Sequence, residues 1–349
     1  MSSSLSINER LVQIEGFDFR TVHPNVLYGT ASDRYAGWIG QIYDESWSGV
    51  TRKRRKKLGG QSFQEVIVPL EAVSEYFEHF SVLELDFTFY RPLVEADGSP
   101  STNYGLIERY AEYAPENAKF LVKAPQMFTA PFIRGMGANE QYLDAPAYTR
   151  QFQDPLVDML GQRLHGIIFE QGYQPIKKSP PAEQTIESLD AFFEHIGKGP
   201  QVHLELRSTH LLTPLYFDWL ETRGLGFVYS HWTWLPSIKS QWKRSGRFTA
   251  ANKTAVLRLL TPRKMPYADA YAVAHPFDRV VPELSNAPGA STMIDEAVAL
   301  CFKAMENETT IDLITNNRAW GNAPELAKEI ARRLLEFERR RQWTLRRAL

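Results

Sequence analysis

The chain has 349 residues, 43% hydrophobic and 23% charged, and its 40 Lys and Arg against 41 Asp and Glu leave a formal net charge of −1. This is the usage of a globular protein, and the balance of charge excludes a global field that gathers nucleic acid or anionic membrane, so any such partner must meet a local patch. The single cysteine, Cys301, excludes an internal disulfide and fits a reducing compartment.

No apolar run approaches the ~18 residues of a membrane span. The opening M-S-S-S-L-S-I-N-E-R lacks the charged and apolar regions of a signal peptide. A cytoplasmic location without membrane partners is therefore expected.

Residues 1–25 carry no strong pattern and are expected to be a lead-in segment ending at His23-Pro24. A first strand is predicted over Val26 to Thr30, followed by a loop rich in glycine and aromatics, A-S-D-R-Y-A-G-W-I-G-Q-I-Y. Six consecutive basic residues follow, Arg52 to Lys57. They read either as a solvated, mobile insertion ended by Gly59-Gly60 or as an arm that contacts phosphate.

Leu70, Val73, Phe77 and Phe80 share one face of a helix predicted over Glu65 to Phe80. The second strand is V-L-E-L-D-F-T-F-Y, and the third, F-L-V-K-A-P, is stopped by Pro125. The segment from Gln126 to Asp144 is long enough to form a lid, and a helix is expected near Tyr148 to Leu160. H-G-I-I-F-E-Q-G-Y is a fourth strand, with a helix after it over Ile186 to Ile196.

The fifth strand, V-H-L-E-L-R, alternates Val202, Leu204 and Leu206 with His203, Glu205 and Arg207. A short helix over Leu215 to Thr222 leads to strand six, L-G-F-V-Y-S-H-W, and T-A-V-L-R-L-L is strand seven. Asp295 to Met305 is helical, T-T-I-D-L-I-T-N-N is strand eight, and a helix over Pro324 to Phe337 closes the fold. Alternating strands and helices predict an α/β, (β/α)8 TIM-barrel-like fold in one domain, residues 26–340, with loop insertions and a basic tail over 341–349.

Ionisable residues recur on these strands: Glu84, Asp86, Lys123, Glu170, Glu205, Arg207 and Arg258. A buried charge costs several kcal/mol unless paired, so charges on neighbouring strands should meet in one network. It reads either as a polar barrel filling or as a pocket for a small anionic or polyhydroxylated ligand at the C-terminal strand ends. Glu84, Lys123 and Glu205 are the candidate catalytic groups, and Arg207, Arg258, Tyr90, His231, Trp232, Asn316 and Asn317 the candidate substrate contacts.

His203, inside an apolar strand, reads as a core histidine. No HxH, HExxH or paired-cysteine spacing is present, so no metal is predicted. No Gly-x-Gly-x-x-Gly, Walker or Gly-x-Ser-x-Gly motif supports a nucleotide, dinucleotide or hydrolase reading, and no cofactor is assigned. An enzyme is one functional class open at this point. A nucleic-acid or protein-binding module using Arg52 to Lys57 is the other.

Six segments then match a known pattern in order: G-T-A-S-D-R-Y-A-G-W, E-L-D-F-T-F-Y-R, F-L-V-K-A-P, V-H-L-E-L-R-S-T-H, V-L-R-L-L and N-N-R-A-W-G-N-A. The chain resembles the bacterial YecE-like family, a domain of unknown function, over about residues 26–335. The resemblance implies a TIM barrel and carries over Glu84, Thr88, Phe89, Tyr90, Lys123, Glu205, Arg207, Arg258, Asn316, Asn317 and Gly321. Glu170 stands where that family commonly has glutamine, Asp86 where it has asparagine, and Leu260 where it has histidine.

Overall fold

The computed structural model describes residues 5–133 and 135–347, so the last two residues of the basic tail lie outside the described residues. Eight strands carry the fold: β1 Val26–Ala31, β2 Val82–Leu85, β3 Phe120–Lys123, β4 Leu164–Gln171, β5 Val202–Leu206, β6 Gly226–His231, β7 Thr254–Leu259 and β8 Thr310–Thr315. They close a barrel in the order β1-β8-β7-β6-β5-β4-β3-β2. The pairings β1–β8, β2–β3, β3–β4, β4–β5 and β5–β6 are parallel.

Every residue of β1, β2, β3, β5, β6 and β7 is buried. Helices cover the outside of such a sheet and side chains fill its inside, so neither face meets water. The charges on these strands are therefore buried charges. β1 also runs so close to β2 that a Cβ on Gly29 would lie 2.1 Å from the Val82 carbonyl oxygen.

The chain divides into two compact units, Met1–Val82 with His231–Thr233 and Leu257–Leu349 in one, and Leu83–Ser230 with Trp234–Val256 in the other.

Several elements differ from the sequence reading. The lead-in contains a helix, Ile7–Glu15, opened by a capping box in which Ser6 accepts from the Glu9 backbone and Glu9 from the Ser6 backbone. The basic run is an ordered strand, Arg52–Leu58, paired antiparallel with Gln61–Ile67. That hairpin takes the residues assigned to the start of a helix, which begins only at Val73. Pro69 disfavours a helical conformation at Val68 and explains the delay.

β2 ends at Leu85, and Phe87–Tyr90 is a 3₁₀ turn, so Asp86 and Thr88 do not continue the strand alternation. The helix expected over 148–160 is broken by a π turn at Thr149–Gln153. Pro155 lacks the N–H that a regular helix would give to the Gln151 carbonyl. That carbonyl accepts instead from Leu93 N and Val94 N, at 3.1 and 3.0 Å.

The segment read as a lid is tied into the fold. It contains a short helix, Gln126–Thr129, and a two-residue antiparallel pair, and Asn139 Nδ2 donates to the Met127 and Ala130 carbonyls at 2.7 Å each. Gln171 Nε2 donates to Tyr142 Oη at 3.3 Å, bringing the end of β4 to the same segment.

Candidate functional site

In the second unit the ends of four successive strands bring charged and polar groups together. Lys123 is the last residue of β3, which stops there because Pro125 follows. Glu170 lies one residue from the end of β4, Arg207 directly after β5, and Ser230 one residue from the end of β6. The pairings β4–β5 and β5–β6 set Glu170 opposite Glu205 and Gly226 opposite His203. Alternation then puts Ser230 on the same face as Glu205.

Glu170 is the hub. Its Oε2 accepts from Lys123 Nζ and from Arg207 Nη2, each at 2.7 Å. Arg207 Nη1 lies 3.2 Å from Glu205 Oε1, which also accepts from the Ser230 hydroxyl. Glu205 is fully buried, whereas the Glu170 side chain keeps 12% of its surface in solvent. Within these contacts two cations face two carboxylates.

The E-L-D-F-T-F-Y-R motif supports the lysine. Thr88 Oγ1 donates to the Lys123 carbonyl at 2.6 Å and pins the 3₁₀ turn against the end of β3. Phe89 on that turn then lies with its ring centroid 3.9 Å from Lys123 Nζ, a cation–π contact worth about 0.5–2 kcal/mol. Tyr90 packs edge-on against Phe89 at 5.5 Å and is 79% exposed, so an aromatic face stands in solvent one ring from the lysine.

Glu84 is fully buried on β2 in register with Leu121. Asp86 sits at the start of the 3₁₀ turn and is half-buried. His203 is a core histidine, packed over Gly226, where a Cβ would come within 2.0 Å of its ring, and bonded through Nε2 to Thr254 Oγ1 at 3.2 Å.

The first unit holds the remaining candidates. Arg258 is buried on β7. His231 ends β6, and because the Thr261 carbonyl 2.9 Å from its Nδ1 can only accept, Nδ1 carries the proton and Nε2 the lone pair. Burial pulls its pKa down to about 4, so the ring is neutral near pH 7.

Trp232 is half-buried, 6.4 Å from the Tyr267 ring. Asn316 caps the short helix Asn317–Trp320, accepting from Arg318 N at 3.0 Å. Asn317 Oδ1 accepts from Trp38 Nε1 and Ala323 N, at 3.2 and 2.8 Å. The contacts of both asparagines are those of residues that hold the turn after β8.

The sequence reading put Glu84, Asp86, Lys123, Glu170, Glu205, Arg207 and Arg258 in one network, and the contacts above join four of them, Lys123, Glu170, Glu205 and Arg207. It gave Glu170 no catalytic or binding role, named Phe89 only through the family resemblance, and missed Ser230. No cluster of three or more His, Cys, Asp or Glu suited to a metal occurs among the described residues. Among them, too, no helix is long and apolar enough to cross a membrane.

The family model "Protein of unknown function DUF72" matches residues 28–347. The chain belongs to the DUF72 family. A DUF72 family protein from Thermotoga maritima superposes with a TM-score of 0.53 at 17% identity, covering 89% of this chain and 99% of that one. A DUF72 family protein from Enterococcus faecalis gives 0.52 at 13% identity, covering 89% and 98%. At these identities the likeness extends to the DUF72 fold alone. No curated protein matches the chain in sequence.

Proposed function

We propose that this DUF72 chain is an enzyme performing acid–base chemistry on a small polyhydroxylated, sugar-like molecule at the C-terminal ends of β3 to β6. The observation that carries the reading is the Glu170 hub, one carboxylate oxygen 2.7 Å from two cations at strand ends, with part of the side chain in solvent. The Glu170 carboxylate is the group placed to exchange a proton with a substrate hydroxyl or C–H. Lys123, with three donors, is placed to stabilise the oxygen on which charge then develops.

A phosphate or carboxylate would have to displace Glu170 from Lys123 and Arg207, which favours a neutral hydroxylated ligand. The exposed Tyr90 ring supplies a stacking surface for a sugar face.

The test is a thermal-shift screen with neutral monosaccharides, sugar phosphates, sugar acids and inorganic phosphate. A ligand at 100 times its Kd stabilises the folded state by about 2.7 kcal/mol. Neutral sugars should raise the melting temperature of the wild type and lose that effect in Glu170→Gln. Tyr90→Ala, which removes only an exposed ring, should weaken the shift while melting like the wild type. A shift by phosphate or sugar acids alone overturns the neutral-sugar reading, and no shift by any compound leaves the cluster a structural network.

A further inference from the structure

We propose that the hairpin Arg52–Leu58/Gln61–Ile67 is a sequence-independent binding surface for the phosphate backbone of duplex nucleic acid, apart from the barrel site. The two strands pair one to one, which gives the hairpin two distinct faces. Arg54, Lys56 and Leu58 share the inner face with Phe63 and Glu65, and this face is fixed to the helix Tyr267–Ala274.

Glu65, 4% exposed, pairs with Arg54 and with Lys56, the latter at 3.3 Å, and accepts from the Tyr271 hydroxyl. Lys56 Nζ stands 4.6 Å over the Tyr271 ring, Phe63 packs on the same ring at 5.0 Å, and His275 Nε2 donates to the Gln64 carbonyl at 3.1 Å. The acid of the hairpin is thus spent on the inner cations.

The outer face carries Lys53, Arg55 and Lys57, opposite Val66, Gln64 and Ser62. It contains three cations and no acid, and none of the three cations forms an ion pair among the described residues; Arg55 donates to Ser62 Oγ at 3.3 Å. Alternate residues of a strand are about 6.8 Å apart, a step comparable with that between successive phosphates of a nucleic-acid strand. The inner-face anchoring holds this row in place before any partner arrives.

The rest of the surface chemistry selects the partner. No aromatic side chain lies on the outer face, so unpaired bases have nothing to stack on. Val66 is the one apolar residue there, too little to enter a membrane interface. Like charges repeat along the row, as expected for contacts to a backbone rather than to base edges. An acidic peptide competes for the same charge, and its binding relative to the duplex is an outcome of the test.

Fluorescence anisotropy of the full chain with a labelled duplex tests the inference. Three phosphate contacts predict a slope of log K against log salt near −2.7 and about a 40-fold loss of affinity between 50 and 200 mM salt. Duplexes of unrelated sequence should bind equally. Lys53→Glu, Arg55→Glu and Lys57→Glu together should lower affinity at least tenfold, and the same three positions changed to Gln should lower it to a smaller extent.

Both variants should keep the wild-type circular dichroism and melting temperature, since the outer side chains make no ion pair among the described residues. The proposal is overturned if the wild type binds no duplex at 50 mM salt, or if binding is unchanged in either variant. It is also overturned if polyglutamate or vesicles of phosphatidylserine and phosphatidylcholine bind more tightly than the duplex.

Discussion

Arg207→Met removes a cation that faces two carboxylates and keeps most of the apolar stem. Glu170 retains Lys123 at 2.7 Å, but Glu205, fully buried, loses the guanidinium 3.2 Å away. Breaking a buried pair from one side costs about 3–5 kcal/mol, and the remaining Lys123 contact puts this variant near the lower end, about 3 kcal/mol. Against a total of about 5–15 kcal/mol that is a large fraction.

Urea unfolding followed by both circular dichroism and tryptophan fluorescence measures the loss, and coincidence of the two curves checks that a single transition is being read. Adding Glu205→Gln to Arg207→Met removes the carboxylate that faced the guanidinium and should recover about 1–2 kcal/mol, a coupling within the range of contacting residues. A cost under about 1 kcal/mol, the value of an exposed pair, or a double variant no better than the sum of the singles would refute the reasoning.

His231 should stay neutral down to about pH 4 in an NMR titration. Its folded pKa lies below the ordinary value of about 6.5, so the stability it contributes is present above pH 6.5 and is lost as pH falls through about 4; His231→Gln should flatten that part of the stability profile, and titration near pH 6.5 would contradict the buried geometry. Cys301, whose thiol burial pushes up to about 12, should resist thiol reagents in the native protein and react with one equivalent after unfolding; rapid native labelling would contradict its burial. Gly29→Ala, with its Cβ against the Val82 carbonyl, should lower the melting temperature by several degrees or abolish folding, and a wild-type melt would show that the strands spread freely there.

The barrel was legible because its strands are buried on both faces and so stand out as short apolar runs ended by Pro, Gly or polar turns. Lys123, Glu170, Glu205 and Arg207 were legible for a related reason, since an ionisable residue on such a strand needs partners. Ser230 carries no such signal alone, and Phe89 was named only through the family resemblance. Counting alternate residues from Gly226 along β6 would have placed Ser230 on the site face, and the T-F-Y segment marks Phe89 only once the turn at Asp86 is known. The lead-in helix was announced by Ser6 and Glu9 at capping-box spacing, within a stretch too polar to show an apolar face. The Arg52–Leu58 strand was hidden because Leu58 is its single apolar residue, and what holds it, Glu65 and Tyr271, is supplied from elsewhere in the sequence.

The central claim is that Glu170 and Lys123 meet a substrate. The most direct test is a crystal structure of the protein with the neutral sugar that gives the largest thermal shift. The account predicts a sugar hydroxyl within about 2.6–3.2 Å of the Glu170 carboxylate, a second near Lys123 Nζ, and one sugar face against Tyr90. A sugar bound elsewhere, with the Lys123–Glu170–Arg207 bonds closed over and untouched, would contradict it.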